Sequence, residues 1–198
     1  MSTPAIVVMI LCFSGFLILA FLNPIMDPIN NRVRRWVNHT RNPALRPLMI
    51  ITHKYNDVLS LSIQLIVLTT TVGLIFSSWA RAMILMSAMF IQATIVSACK
   101  RLSSIDRPPQ IAAHVFMYTG SYPSGHSAAS MSFALLVPTV IKPYVPLPVT
   151  MAIAFYLFLV ALLTAYGRLY LDVHWLSDIF GGWFLSMAVY LFSQSLLV

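Results

Sequence analysis

Glutamate is absent from this 198-residue sequence, and all five acidic residues are aspartate. Charged residues of every kind make up only 9% of the chain, whereas a soluble domain contains about 25%. This shortage excludes an ordinary water-soluble globule, a disordered chain and a coiled coil. Hydrophobic residues make up 59% of the sequence, and the mean hydropathy is +0.84. An integral membrane protein is the class that remains.

Cysteine is also scarce. Cys12 and Cys99 lie far apart in apolar stretches and form no Cys-x-x-Cys pattern, which excludes a disulfide scaffold and a cysteine-based metal site. Positive charge, in contrast, is in excess. The chain has 12 Lys and Arg residues and a net charge of +7. In a chain this apolar, each cation needs a reason to be present.

Long apolar runs predict the organisation of the chain. A bilayer core of about 30 Å requires about 20 apolar residues per helix. The sequence therefore predicts an all-α, polytopic membrane protein with six transmembrane helices, over 5–22, 57–79, 82–99, 124–141, 147–166 and 175–197. The first is expected to be a retained helix, since no basic segment precedes it and no cleavage site follows it. No repeat or low-complexity tract divides the chain, so residues 1–198 are predicted to form one domain.

The connection between the first two predicted spans has a pattern of its own. Apolar residues recur there at helical spacing, with arginines between them: Ile25, Ile29, Val33, Trp36 and Val37. This pattern predicts a short amphipathic helix in the membrane interface, with its basic face towards the lipid headgroups. An irregular loop packed on the helix ends is the alternative, because four prolines interrupt the connection.

Ionisable residues at the predicted membrane edge form three clusters, and function is expected at such groups. The clusters are residues 100–108 (KRLSSIDRP), 123–126 (PSGH) and 167–178 (GRLYLDVHWLSD). In the six-helix arrangement, all three lie on the same face of the membrane. Convergent cations beside two imidazoles indicate an oxyanion site, most simply a phosphate site.

The first two clusters contain groups suited to bind phosphate. Arg107 offers a planar fork for two phosphate oxygens, and Lys100 offers a point charge for a third. Ser124 is a good helix N-cap, and Gly125 lets a backbone N–H approach an anion closely at the start of a helix. His126 is expected in the first turn of that helix, directed at the anion.

The third cluster contains a candidate nucleophile. His174 and Asp178 are four residues apart, so they lie one helical turn apart. The carboxylate can accept a hydrogen bond from one ring nitrogen of His174, which fixes the tautomer and leaves the other nitrogen free to attack. Arg168 lies close enough in sequence to reach the same phosphate.

In this order, the motifs K-x6-R-P, P-S-G-H and R-x5-H-x3-D resemble those of the type 2 phosphatidic acid phosphatase (PAP2) superfamily, which shares its active site with vanadium haloperoxidases. The motifs cover residues 100–178, and the six-helix layout extends the resemblance to nearly the whole chain. The resemblance implies an enzyme, a lipid phosphatase or diphosphatase, that hydrolyses a phosphomonoester or diphosphate on a membrane lipid.

The resemblance also implies a role for each matching residue. His174 would attack phosphorus and form a phosphohistidine, Asp178 would orient His174 and balance its charge, and His126 would protonate the leaving oxygen. Five residues would bind the phosphoryl oxygens: Lys100, Arg107, Arg168, Ser124 and Gly125. The family needs no metal or other cofactor. The sequence, without Glu or a carboxylate cluster, offers no evident site for Mg²⁺ or Zn²⁺.

One position departs from the family pattern. The third motif usually opens with Ser-Arg, and here it reads Gly167-Arg168, so a hydroxyl that could touch phosphate or position the arginine is missing. Gly167 is expected instead to permit a tighter turn after the fifth predicted helix.

Four polar residues near the motifs are expected to have ordinary roles. His39, His53 and His114 match no motif and are expected to be solvated at the interface. Asp172, inside the third motif, is expected to form an ion pair or a cap.

The expected partners are the bilayer and a lipid phosphate whose tail stays in the membrane. Nucleic acid is not expected, because the basic residues are too few and too interfacial. Undecaprenyl diphosphate is the first substrate expected, since a compact chain without a soluble domain resembles the bacterial undecaprenyl diphosphate phosphatases somewhat more than other members. Phosphatidylglycerophosphate and phosphatidic acid are alternatives. A non-catalytic lipid-binding or transport protein of the same fold is the alternative of another class.

Two signals disagree about the membrane side of the site. The family resemblance implies an extracytoplasmic active site in a bacterial plasma membrane, with both termini in the cytoplasm. Counting Lys and Arg places the same face in the cytoplasm, because basic residues are dense over 32–54. We adopt the extracytoplasmic side, since these basic residues can instead attract anionic substrate headgroups.

Overall fold

The computed structural model describes residues 2–103 and 105–197, and every regular element in these ranges is helical. Short 3₁₀ turns lie at Asn23–Met26 and Pro43–Leu45. The α-helices of the described chain are α1 (Thr3–Phe21), α2 (Asp27–Thr40), α3 (Arg46–Tyr55), α4 (Val58–Leu74), α5 (Trp79–Leu102), α6 (Gly125–Ile141), α7 (Leu147–Tyr170) and α8 (Leu176–Leu196). The all-α prediction is confirmed.

Four of these helices, α1, α5, α7 and α8, are long and apolar enough to cross a membrane. Helices α3 and α4 form a pair bent by 55°, which is a fifth candidate if the pair is one broken span. Helix α6 is apolar but has 17 residues, close to the lower limit of about 17 for a span. The chain is therefore an integral membrane protein. The count of six spans remains a prediction, because α4 and α6 are short.

Helix α8 lies at the centre of the bundle, where it packs on α1, α5 and α6. Two glycines in its first turns allow the chain before α6 to approach closely. A Cβ atom on Gly182 would lie 2.9 Å from the Ser124 carbonyl oxygen, and one on Gly181 would overlap the Tyr122 ring and its hydroxyl. The predicted PSGH motif is thereby held against the start of α8.

A buried polar link joins three helices deeper in the bundle. Gln92 on α5 donates from Nε2 to Ser186 Oγ on α8 at 3.2 Å, and its Oε1 accepts a hydrogen bond from Ser132 on α6. Buried polar groups are stabilising only when they have partners, so this link fixes the register of α5, α6 and α8.

The connection before α4 is more ordered than the sequence predicts. Helix α2 matches the predicted amphipathic segment, so the alternative of an irregular loop is wrong there; its place in the membrane interface stays a prediction. Helix α3 was not predicted. Asn30 on α2 accepts a hydrogen bond from Ser177 N at 3.1 Å and donates to Ser177 Oγ at 3.0 Å, which attaches α2 to the first turn of α8.

Gly167 lies inside α7 and not in a turn, so the predicted tight turn is wrong. A Cβ atom at this position would lie 3.3 Å from Thr52 Oγ1 and 3.5 Å from Met49 Sδ, both on α3. Contacts this short leave little room for a side chain. The glycine therefore permits close packing of α3 on α7.

Candidate active site

A cavity of about 540 Å³ lies where the three predicted clusters meet. Six of the eight predicted site residues line it: Lys100, Arg107, Gly125, His126, Arg168 and His174. From there the cavity continues between α4 and α5 along an apolar wall that includes Leu61, Leu65, Met86 and Phe90. A charged chamber thus opens into an apolar cleft between two helices.

A second, larger groove of about 770 Å³ lies between α1, α5 and α8. Its lining is apolar apart from a few serines and includes Phe13, Met83 and Phe192. No ionisable group is among those lining residues, so the groove offers no chemistry of its own. The smaller, charged cavity is the candidate active site.

His174 lies in the turn between α7 and α8 and is oriented through both ring nitrogens. Nδ1 lies 3.1 Å from Asp178 Oδ2, and Nε2 lies 3.4 Å from Arg107 Nη1. A guanidinium can only donate, so Nε2 accepts and the proton of the neutral ring is on Nδ1, facing the carboxylate. Burial lowers the pKa of His174 well below its ordinary value, and the nearby charges of Lys100 and Arg168 lower it further. The ring is therefore neutral at neutral pH, with a lone pair on Nε2 at the cavity.

Asp178 is fully buried behind His174. Besides facing His174, its Oδ2 accepts a hydrogen bond from Trp175 N at 2.8 Å and another from Ser121 Oγ. The Asp178 carbonyl oxygen also accepts from Ser124 N at 3.0 Å. The carboxylate therefore joins the start of α8 to the chain that leads into α6. Sequence reasoning missed Ser121, because a single serine before PSGH carries no pattern.

Backbone carbonyls hold the two cations of the first cluster. Arg107 donates to Thr119 O at 2.9 Å, to Val173 O at 2.5 Å and to Gly120 O at 3.2 Å. Lys100 Nζ also donates to Gly120 O, at 3.1 Å. These bonds orient both cations, and no carboxylate within residues 2–103 and 105–197 forms an ion pair with either, so their positive charge remains available to an anion.

Arg168 is 2% exposed, and one of its nitrogens, Nη1, has a protein partner, His53 Nδ1 at 2.8 Å. Its Nε and Nη2 atoms, like His126 Nε2, are buried without a hydrogen-bond partner in the described part of the chain. Buried polar groups usually have partners, so a cluster of unsatisfied groups on a cavity wall is typical of a ligand site.

The prediction that His53 is a solvated interfacial residue is wrong. Its ring is partly buried and stacks on His126, with ring centroids 4.8 Å apart and an interplanar angle of 26°. No motif could have identified it, since His53 lies on α3, far in sequence from the three clusters.

Ser124 caps α6, as predicted. Its Oγ accepts from Ser127 N at 3.4 Å and lies 2.9 Å from Ser127 Oγ. Gly125, next in the chain, lines the cavity, whereas Ser124 is fully buried behind its wall. A hydrogen bond from either residue to phosphate remains a prediction.

Asp172 forms the expected ion pair, and it does so with two arginines. Its Oδ1 lies 3.1 Å from Arg34 Nε, and its Oδ2 lies 2.9 Å from Arg41 Nη2. Arg34 also donates from Nη2 to Pro109 O at 3.2 Å. These contacts, which we call the Asp172 clamp, tie the α2 region to the turn that carries His174 and to the segment after α5.

The fold and the site together define a class, an integral membrane protein with a cation-lined pocket around a buried His–Asp pair. The sequence model described as the PAP2 superfamily matches residues 81–197, and the chain belongs to that superfamily of membrane lipid phosphatases. Its class of reaction is therefore the hydrolysis of phosphoric esters.

Two solved structures share the fold. One is a transmembrane PAP2-type phosphatidylglycerolphosphate phosphatase from Bacillus subtilis, with 18% identity, a TM-score of 0.86 and 94% of each chain covered. The other is LpxE from Aquifex aeolicus, with 22% identity, a TM-score of 0.67, and 84% of this chain and 95% of that chain covered. A search of the curated proteins gave no match.

Proposed function

We propose that the protein removes a phosphate group from a membrane lipid through a phosphohistidine on His174, without a metal ion. The observation that carries this proposal is the state of the His174 ring. Its Nδ1–H is directed at Asp178, and its unprotonated Nε2 faces a chamber lined by Lys100, Arg107 and Arg168. A neutral nucleophile among cations is suited to attack an anionic phosphate.

The first step forms a bond from His174 Nε2 to phosphorus and breaks the bond from phosphorus to the oxygen that carries the lipid. The cations Lys100, Arg107 and Arg168 stabilise the phosphoryl oxygens in the transition state. His126, which is protonated when the anionic phosphate is bound beside it, gives its proton to the leaving oxygen. A monoester then leaves as the lipid alcohol and a diphosphate leaves as the lipid monophosphate.

The second step is hydrolysis of the phosphohistidine. Water attacks phosphorus, the N–P bond of His174 breaks, and the now neutral His126 takes a proton from the water. Inorganic phosphate leaves, and both histidines return to their starting states. Throughout, the Asp178 carboxylate accepts from the Nδ1–H and balances the positive charge of the phosphorylated ring.

The substrate is proposed to be undecaprenyl diphosphate, with phosphatidylglycerophosphate and phosphatidic acid as alternatives. The apolar cleft between α4 and α5 supports a lipid whose tail lies in the bilayer while its phosphate lies in the charged chamber. One further observation supports phosphatidylglycerophosphate. The Bacillus subtilis structure, which shares the fold over 94% of both chains, is named as a phosphatase of that lipid.

The proposal includes a topology. Residues 1–198 form one domain with six spans, in which α3 and α4 are one broken span and α6 is a short one. At 1.5 Å per residue, a helix of 17 residues is about 26 Å long, enough to cross a slightly thinned bilayer core. The active site faces the extracytoplasmic side of a bacterial plasma membrane, with α2 in the interface.

One assay tests the reaction. The purified protein in detergent with EDTA is offered the three lipids, and phosphate release is measured. We expect release from at least one lipid and no release after His174→Ala, whereas His39→Ala, a change at an exposed histidine, leaves the rate unchanged. Activity that requires Mg²⁺ or survives His174→Ala contradicts the mechanism. Binding of the lipids without release indicates the non-catalytic alternative.

A further inference from the structure

His53 lies outside the three motifs but contacts two of them. We propose that His53 is a positioning residue of the phosphate site, which orients Arg168 towards the bound phosphate and holds the ring of His126 in place. This inference rests on the proposed function for the identity of the ligand. The inference is based on two contacts of His53, which lies on α3: one with Arg168 on α7 and one with His126 on α6.

The contact with Arg168 determines the state of the His53 ring. The two atoms, Arg168 Nη1 and His53 Nδ1, are 2.8 Å apart. A guanidinium only donates, so Nδ1 accepts and the proton of the neutral imidazole is on Nε2. The bond holds one edge of the guanidinium, which leaves Nε and Nη2, both buried and without a partner in the described chain, for two phosphate oxygens.

A neutral acceptor suits this position better than a carboxylate would. An acidic side chain would also orient Arg168, but it would cancel the positive charge that a phosphate needs. No ion pair of Arg168 is present among the described residues, so its full charge is directed at the cavity. An imidazole can therefore orient the arginine without weakening its attraction for an anion.

The position of His53 also accounts for the departure at Gly167. PAP2 motifs usually place a serine there, beside the arginine, and this chain lacks that hydroxyl. The absence of a side chain brings α3 close to α7, with a Gly167 Cβ position 3.3 Å from Thr52 Oγ1. Thr52 immediately precedes His53, so the same close approach delivers the imidazole to Arg168. His53, which is on α3, thus orients Arg168 in place of the serine that usually precedes the arginine on α7.

The second contact is the stack on His126. With ring centroids 4.8 Å apart, His53 limits how far the His126 ring can rotate. His126 Nε2 is buried and has no hydrogen-bond partner among the described residues, and it belongs to the proposed acid of the reaction. His53 therefore places the phosphate ligand and the proton donor relative to each other.

Two variants separate the two contacts. His53→Phe keeps an aromatic ring for the stack but removes the acceptor, whereas His53→Asn keeps an acceptor near the Nδ1 position but removes the ring. His39→Asn is the matched control at an exposed histidine. The probe is inorganic phosphate added to the full-length protein in detergent, and its Kd is taken from the shift in apparent melting temperature.

We expect His53→Phe to raise the phosphate Kd about tenfold, as loss of an oriented charge-assisted contact predicts. His53→Asn and His39→Asn are expected to stay within about threefold of the unchanged protein. An unchanged Kd in His53→Phe, or an equal loss in His53→Phe and His53→Asn, overturns the inference. Since the readout is binding, it is independent of hydrolysis, and failure of the proposed reaction would be seen separately in the lipid assay.

Discussion

At the scale of single residues, the site depends on which atom of each side chain donates and which accepts. Asp178 Oδ2 receives hydrogen bonds from Ser121 and Trp175 as well as from His174. Hydrogen bonds donated to Oδ2 stabilise the charged form of the carboxylate and hold it in the orientation that faces His174. The charge of Asp178 and the tautomer of His174 therefore determine each other.

Asp178→Asn tests that dependence. An amide in this position can turn its NH₂ group towards His174 Nδ1, which would move the ring proton to Nε2 and block attack. We expect kcat to fall by about 10²–10⁴-fold, the range typical of losing such an orienting carboxylate. Phosphate release by the folded variant in detergent measures it. The control is Asp106→Asn, a change at an exposed aspartate of the first motif, which should leave kcat unchanged. If Asp178→Asn kept a kcat within a few-fold of the unchanged protein, the role assigned to Asp178 would be contradicted.

The buried state of His174 also predicts a dependence of stability on pH. Its pKa is lowered in the folded protein, by burial first and by nearby cations second, so the unfolded chain binds the proton more readily. The stability that this neutral ring provides is complete above the unfolded pKa of about 6.5 and is lost as pH falls below it, by up to about 1.4 kcal/mol per pH unit.

Apparent melting temperatures at pH 7.5 and pH 5.5 measure this effect. His174→Gln cannot be protonated, so its melting temperature should fall less on acidification than that of the unchanged protein. The comparison removes the contribution of the other histidines, which both proteins share. An equal fall in both proteins would show that His174 is not the group responsible.

At the scale of helices, the long apolar elements were predictable and the connections were not. The predicted segment 147–166 lies within α7, and 175–197 matches α8 closely, because span-length apolar runs specify helices directly. Helix α3 has only ten residues, too few for a span-length apolar run, and it packs against α7 at Gly167. Contacts between distant segments, such as His53 with Arg168, leave no periodic signal in a single sequence.

The Asp172 clamp is the clearest case of an element held by such distant contacts. Asp172 has a backbone φ of 52° and is 1% exposed, and its two partners come from α2 and the residue after it. A buried carboxylate is stable only with its charge compensated. Arg34 and Arg41 are therefore needed to keep the turn before His174 in place.

Adjacent arginines on α2 allow a matched test of the clamp. Arg34→Gln removes an ion pair to Asp172 and a hydrogen bond to Pro109, and we expect it to cost about 1.5–3 kcal/mol of stability and to lower kcat. Arg35→Gln removes an equal charge from an exposed position and should change neither. Thermal unfolding and phosphate release are measured for both variants. Equal losses of stability and kcat in the two would mean that the change in net charge, and not the Asp172 clamp, is responsible.

At the scale of the whole molecule, the excess of cations divides into groups with different tasks. Lys100, Arg107 and Arg168 line the cavity. Of the basic residues over 32–54, Arg34 and Arg41 pair with Asp172, and Arg46 donates to Ala112 O at 3.0 Å. These residues are committed to the fold of the site. They should be discounted, like the cavity cations, when positive charge is used to infer orientation.

That discount weakens the charge argument against the orientation we predict. Without the structural and cavity cations, Arg32, Arg35, Lys54 and Arg101 remain on the site face, against Arg81 and Lys142 on the opposite face. The charge count then falls from ten against two to four against two, and the extracytoplasmic orientation that we predict follows the family resemblance. Single cysteines at Thr40→Cys and Lys142→Cys, in a chain whose own cysteines are replaced, test it with a membrane-impermeant maleimide. Position 40 should react in intact cells and position 142 only after permeabilisation. The reverse pattern would place the site in the cytoplasm, and its substrate phosphate would then have to be presented on the inner leaflet.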